Sequence, residues 1–459
     1  MSNIVAEPIE EVTLNVNQSG KTDLRFITLV SFVAALGGLL FGFDTAIISG
    51  TIPYLTTYFK LDEFMLGWSV SAILIGCAAG AMVAGKLADL NGRRFMLIIC
   101  AILFAISGIG AGFSTQLYEF VGFRLIGGLG VGAAALVSPM YIAEIAPPAI
   151  RGRLVAFYQL AIVFGILLAY FVNYLFDGLG SDNWRWMFAS QAAPALLFWL
   201  MLLGVPETPR WLIKKGLVTE AEDILKKIGC TVSEIQISFN QPGTVAVSDL
   251  FSKTYRPIVF IGILIAVFQQ VTGINAVLYY APVIFRETGL NSASSLVQTI
   301  GIGVVNVVST FIAIGLVDKI GRKKFLLAGS LVMGISLAAV ACCFQYRYFD
   351  NYIVLICMLL YVSAFGCTLG AVTWVYLAEI FPNRIRSLAL SVVTLALWLA
   401  DFVVTYTFPV MTKNLGTAPT LYCYAALCLI SLLFVLVKVR ETKGRSLEEI
   451  EHLFIHKSE

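Results

Sequence analysis

Asp44, Arg124 and Asp401 are the three charged residues that stand away from the ends of the long apolar stretches of this 459-residue chain. A charge in the middle of a membrane-crossing segment costs about 3 kcal/mol or more, so it is held for a purpose or neutralised by a partner. Asp44 and Arg124 have opposite signs and can neutralise each other across two segments, which describes either a permanent lock or a pair that opens. A second constellation is neutral: Gln269, Gln270 and Asn275 flank Thr272-Gly273, where a helix can unwind and aim amides inward. Such amides serve either a polar ligand or hydrogen bonds between helices. Both histidines, His452 and His456, lie in the C-terminal tail, so no imidazole relay competes with Asp44. The nine cysteines have no metal-ligand spacing, and no nucleophile–base pair is evident. The chemistry on offer is proton and polar-ligand binding, without cofactor, metal or covalent catalysis.

The elements that must position these residues follow from composition. The chain is 59% hydrophobic and only 13% charged, with a mean hydropathy of +0.86. Soluble domains are nearer 45–50% apolar and about 25% charged. That excess excludes a soluble enzyme, a secreted module and a nucleic-acid binder, and predicts an all-α membrane protein embedded in a lipid bilayer. Twelve apolar stretches recur, at 26–50, 66–85, 95–113, 117–142, 154–176, 187–205, 256–285, 297–317, 325–344, 352–380, 387–411 and 420–438. Each is long enough to cross as a helix of about 20 residues.

Topology is read from the bases. Of 31 Lys and Arg, 25 fall in the tails and even-numbered loops, five in the odd-numbered loops, and one, Arg124, inside a span. That asymmetry predicts both termini on the cytoplasmic side. The predicted organisation is a cytoplasmic tail at 1–24, a six-helix half at 25–205, a cytoplasmic linker at 206–255, a second six-helix half at 256–438 and a tail at 439–459. No secretory signal is expected before Phe26. In the linker Thr219-Glu-Ala-Glu222 reads as a capping box opening a helix to Ile228, and Ser446-Leu-Glu-Glu449 repeats the signature. Gly128-x-Gly130-x-Gly132 lies inside a span with no strand before it, so it reads as close helix packing rather than a phosphate loop.

The two halves are repeats. Asp89-Leu-Asn-Gly92-Arg93-Arg94 recurs as Asp318-Lys-Ile-Gly321-Arg322-Lys323, Ala143-Glu144-Ile145 to Arg151 recurs as Ala378-Glu379-Ile380 to Arg386, and Glu207-Thr208 recurs as Glu441-Thr442. Duplicated halves with a site between them at the midplane are the architecture of secondary transporters. Arg93, Glu144, Arg151, Glu207, Arg322, Glu379, Arg386 and Glu441 all fall at cytoplasmic span ends and are expected to form a charge latch that closes the halves there and breaks on opening.

These residues carry a resemblance. The chain resembles the sugar porter family of the major facilitator superfamily in Gly37-Gly-Leu-Leu-Phe41-Gly-Phe-Asp44, Asp89…Gly92-Arg93-Arg94, Arg124-Leu-Ile-Gly-Gly128-Leu-Gly130-Val-Gly132, Pro206-Glu-Thr-Pro-Arg-Trp211, Gln269-Gln270-Val-Thr-Gly273-Ile-Asn275, Asp318…Gly321-Arg322 and Glu441-Thr-Lys-Gly-Arg445. The resemblance implies twelve helices, alternating access, a monosaccharide or polyol substrate, and a bacterial inner-membrane protein working as a monomer. It implies that Asp44 holds Arg124 when deprotonated and releases it on protonation. It implies sugar contacts at Gln269, Gln270, Asn275, Asn306, Gln159, Trp374 and Trp398, a wall at Phe41 and an outer gate at Tyr279 and Tyr280. Asp401 departs from the neutral amide usual there and reads as a further sugar contact, with a second titrating group as the alternative. The expected function is proton-coupled monosaccharide symport, against the rivals of an uncoupled facilitator, a polyol symporter, or a sensor, for which the tail at Gly444–Glu459 is short.

Overall fold

The structure, a computed structural model, describes residues 23–147, 150–232, 247–349, 352–382, 384–445 and 449–450, the side chain of Asp318 excepted. Both histidines, the polar stretch before Asp23 and the capping signature at Ser446, Leu447 and Glu448 lie outside the described residues.

Twelve helical segments are long and apolar enough to cross a membrane. Spans one to six are Leu24–Phe59, Glu63–Asn91, Arg93–Phe113, Leu117–Ile145, Arg151–Phe176 and Asn183–Leu203. Spans seven to twelve are Arg256–Glu287, Ser292–Val317, Arg322–Gln345, Ile353–Ile380, Arg386–Leu415 and Thr417–Lys438. With twelve spans, the start of span one and the end of span twelve lie at one end, called here the terminal end; the opposite end is the distal end. Local chemistry starts several spans: Asp62 accepts from the Met65 amide at 2.7 Å and Asn291 from the Ser294 amide at 2.8 Å, each satisfying a donor that a helix start leaves open.

Within the first half, span four packs along span two and span five along span one. Small residues make the first contact close: a side chain at Gly76, Gly128 or Gly132 would run into the backbone of the facing helix. The Gly128-x-Gly130-x-Gly132 run is therefore a helix–helix seam, as its place in a span predicts. The halves meet through spans two and eleven, spans five and eight, and the distal parts of spans one and seven.

Four spans are broken, and the breaks matter for the site. Span seven is two helices, Arg256–Val271 and Ile274–Glu287, separated at Thr272-Gly273, where Gly273 has φ 89°. Span ten is Ile353–Cys367 and Leu369–Ile380, broken at Thr368. Spans one and six are also divided, at Ile47 and near Ser190-Gln191.

In the linker the helix runs Val218–Ile228 with Leu217 at its start and no side-chain cap, so the capping box expected at Thr219 does not form. The reason is the turn before it: Gly216 has φ 80°, and the Leu217 amide donates to Leu212 O at 2.9 Å, starting the helix before Thr219 can cap it. Its apolar face, Ala221, Ile224, Leu225 and Ile228, is buried, and Lys227 O accepts from the Asp23 amide at 2.8 Å, tying it to the start of span one.

Candidate functional site

Asp44 and Arg124 are both fully buried and are brought together, as opposite charges in two facing spans should be. Arg124 Nη1 donates to the Asp44 carboxylate and, at 3.0 Å, to the Asp44 carbonyl, and the guanidinium lies 5.5 Å from the centre of the Phe188 ring. The pair is monodentate. Asp44 Oδ2, Arg124 Nε and Arg124 Nη2 are buried with no hydrogen-bond partner among the described residues. An arginine fork bound on one nitrogen is weaker than a bidentate clamp, and each unpartnered buried donor carries a desolvation cost. Gly127, which the sequence reading did not single out, makes room for the pair: a Cβ there would run into Ser107 Oγ and stand 2.6 Å from Asp44 Oδ2. Its place one turn after Arg124 was the available signal.

The neutral constellation forms around the break in span seven. Tyr361 donates to Thr272 O at 2.9 Å, satisfying a carbonyl freed by the unwinding, and the Tyr424 ring packs where a Gly273 side chain would stand. Across the break, Asn275 Nδ2 donates to Gln270 Oε1 at 2.9 Å and to Asp401 Oδ2 at 2.7 Å, while Thr405 Oγ1 donates to Asp401 Oδ1 at 3.2 Å. Asp401 and Thr405 are one helical turn apart on span eleven, which puts them on one face. Trp398, one turn earlier, is buried with its Nε1 unpartnered and lies 5.7 Å from the ring of Phe41 on span one. An aromatic wall thus reaches from one half to the other beside the amides.

Other expected members stand apart from this network. Gln269 is buried and spends its amide nitrogen on Leu369 O at 2.9 Å, at the break in span ten, leaving Oε1 without a partner. Asn306 is buried against Gly366, Gln159 is half-buried in span five, and Trp374 is 37% exposed on the terminal half of span ten. The hydrogen-bonded network does not extend to these last three.

At the distal end the halves are joined. Asp177 accepts from Tyr54 at 2.7 Å and from Ser292 at 2.9 Å, so one carboxylate ties the first half to span eight. Tyr170 donates to Leu278 O at 2.9 Å, and Lys413 pairs with Glu63 at 3.0 Å. Tyr279 and Tyr280 are buried under this closure, Tyr280 donating to Thr405 O at 3.3 Å with its ring tilted against Phe408 at 4.8 Å.

At the terminal end two matching clusters appear. Arg93 pairs with Glu144 at 3.1 Å, and Glu207 accepts from the amides of Arg93 at 2.9 Å and Arg94 at 3.0 Å. Arg322 pairs with Glu379 at 2.7 Å, and Glu441 accepts from the amides of Arg322 at 2.9 Å and Lys323 at 3.1 Å. Gly92 and Gly321, at φ 106° and 103°, let the chain turn where each acid approaches; a side chain there would collide with the Glu207 or Glu441 carboxylate. Arg151 and Arg386 donate to Ala146 O at 3.3 Å and Phe381 O at 3.1 Å. Each of these pairs lies within one half, so in this conformation the clusters brace the halves individually. Burial pushes the Glu207 carboxyl above its ordinary range, against the opposing pull of its amide donors.

A model of the family described as "Sugar (and other) transporter" matches residues 30–454. The D-xylose-proton symporter of Escherichia coli (strain K12) is 42% identical, over 94% of this chain and 96% of that protein. The arabinose-proton symporter of Bacillus subtilis (strain 168) is 40% identical, over 96% and 98%. Among solved structures, the inward-open conformation of the xylose transporter XylE from E. coli matches with a TM-score of 0.83 at 42% identity, covering 93% of this chain and 100% of that one. Twelve spans in two repeated halves, joined at one end around a buried polar centre, are thus accounted for: the chain belongs to the sugar transporter family.

Proposed function

We propose that this protein is a proton-coupled symporter of a monosaccharide, hexose or pentose, working by alternating access. The observation that carries the reading is the buried Asp44–Arg124 pair, held by one guanidinium nitrogen with its remaining polar atoms unpartnered. Deprotonated Asp44 holds Arg124; a proton on Asp44 cancels the attraction and frees spans one and four to move. Sugar binds on Gln269, Gln270, Asn275, Asn306, Gln159 and Asp401, whose donors and acceptors match its hydroxyls, against the faces of Phe41, Trp374 and Trp398. Tyr279 and Tyr280 close over it.

The halves at 25–205 and 256–438, with the linker at 206–255 between them, rock about this centre. The distribution of Lys and Arg supports placing the terminal end in the cytoplasm; the bacterial relatives support a bacterial inner membrane, in which the protein works as a monomer. The distally closed conformation is then inward-facing, and the paired clusters at Arg93–Glu144–Glu207 and Arg322–Glu379–Glu441, with Arg151 and Arg386, engage across the halves when the cytoplasmic side closes. The membrane potential supplies about 2.3 kcal/mol per charge per 100 mV, enough for accumulation of tens of fold.

The test is sugar uptake in vesicles with an imposed proton gradient. Asp44→Asn should lose accumulation while retaining sugar exchange. A variant that still concentrates sugar removes the coupling role from Asp44, and a wild type that concentrates none of D-xylose, L-arabinose or D-glucose overturns symport of those sugars.

A further inference from the structure

Asp401 sits at the centre of the membrane-crossing bundle, 1% exposed, and both its oxygens are met only by neutral donors, the Asn275 amide and the Thr405 hydroxyl. Among the described residues no Lys, Arg or His pairs with it; Arg124, the one intramembrane base, is engaged by Asp44. The elements packed against span eleven offer no counter-charge either. The charge of Asp401 acts on two titratable side chains, Cys77 on span two and Tyr279 on span seven; Arg124 acts on both of them, and Asp44 on Cys77. Among the described residues the side-chain partners of Asp401 are Asn275 and Thr405, with no ion pair from spans ten or twelve.

A carboxylate buried without a cation is neutralised in the simplest way, by a proton. Protonation also changes what the group offers a ligand. The anion only accepts hydrogen bonds; the acid both donates and accepts, which is the pattern a sugar hydroxyl answers. Asn275 bridges Asp401 to Gln270, so a sugar that engages these amides must rearrange the donors on Asp401 in the same step. Two ligands that share one network are reciprocally coupled: if a proton favours sugar, sugar favours the proton.

We propose that Asp401 is a second proton-binding group of the transport cycle, and that the site takes sugar in its protonated form. The inference rests on the reading of Gln270 and Asn275 as sugar ligands and adds to the coupling at Asp44. It gives each sugar a proton bound beside it, separate from the proton that frees Arg124.

Calorimetric titration of the full-length protein with D-xylose, L-arabinose and D-glucose, from about pH 5 to about pH 9, separates the two carboxyls. In Asp44→Asn, where Asp401 is the remaining intramembrane acid, Kd should weaken by about tenfold per pH unit on the alkaline side. In Asp44→Asn/Asp401→Asn, whose amide keeps both donor and acceptor, sugar should bind with a Kd that varies less than about twofold over the same range. If the double variant does not fold, Asp44→Asn/Asp401→Glu must keep the slope, and sugar binding in weak buffer must draw protons from a pH indicator. A flat response in Asp44→Asn, or no proton uptake on binding, overturns the proposal while leaving the sugar site intact. A wild type that binds none of the three sugars at any pH removes the site and the proposal together.

Discussion

At the scale of the residue, the site depends on how few partners its charges have. Arg124 reaches Asp44 through one nitrogen, and Gly127 leaves the space in which the second carboxylate oxygen stands. Gly127→Ala should force that oxygen aside at a cost of about 1–3 kcal/mol. The expected outcome is a protein that still inserts and binds sugar but transports slowly; normal proton-driven uptake by Gly127→Ala would show that the spacing is immaterial. Gln270 is the amide that Asn275 holds across the break in span seven. Gln270→Ala removes one ligand and leaves Asn275 half-satisfied, so sugar affinity should fall by about ten- to a hundredfold in calorimetry. An unchanged Kd would take Gln270 out of the site.

At the scale of the element, the breaks and the turns do the positioning. In an uninterrupted span seven Asn275, five residues after Gln270, would lie about 140° around the helix from it; unwinding at Gly273, with φ 89°, lets the two amides meet instead. The turns at Gly92 and Gly321 bring Glu207 and Glu441 onto the exposed amides at the starts of spans three and nine, where the helix dipole favours a negative charge. Glu207 is partly buried by this arrangement, and burial raises its proton affinity in the folded state above the ordinary value of 4.5. The folded protein therefore holds more protons than the unfolded chain above that pH. Its contribution to stability is full below about pH 4.5 and is lost as pH rises through the folded-state value. In Glu207→Gln the melting temperature in detergent should accordingly lose part of its decline as pH rises above about 4.5, and an identical pH profile for both proteins would contradict the assignment.

At the scale of the whole molecule, two rigid halves are joined at one end. The polar part of the joint is small, Asp177 with Tyr54 and Ser292, Tyr170 with Leu278, and Lys413 with Glu63, beside apolar contacts such as Trp68 with Phe402 and Phe164 with Phe311. Exposed pairs such as Lys413–Glu63 contribute about 0–1 kcal/mol each, so this pair adds little to holding the halves together. Asp177→Ala removes two of its hydrogen bonds at once. Distances between spin labels on the distal ends of spans one and seven should then shift toward the separated population, and a distribution unchanged from wild type would show that Asp177 does not hold the halves.

Much of this was legible in the residues, for a physical reason. Lipid leaves a chain few choices, since every backbone group must be paired internally, so long apolar stretches report helices directly, and the repeat of Gly92-Arg93 in Gly321-Arg322 reports duplicated halves. Asp44 and Arg124 were conspicuous because charge is rare where they stand. The helix start at Leu217 was not legible, because a turn made by Gly216 overrode the local capping signature. Nor was the partnership of Asn275 with Asp401, 126 residues away, or the space left by Gly127. Sequence by itself determined the spans, their repeat and which charges are buried, since those depend on the solvent each residue meets. Which amide meets which carboxylate, and at which end the halves close, were decided only by tertiary structure, because they depend on how separate helices break and pack.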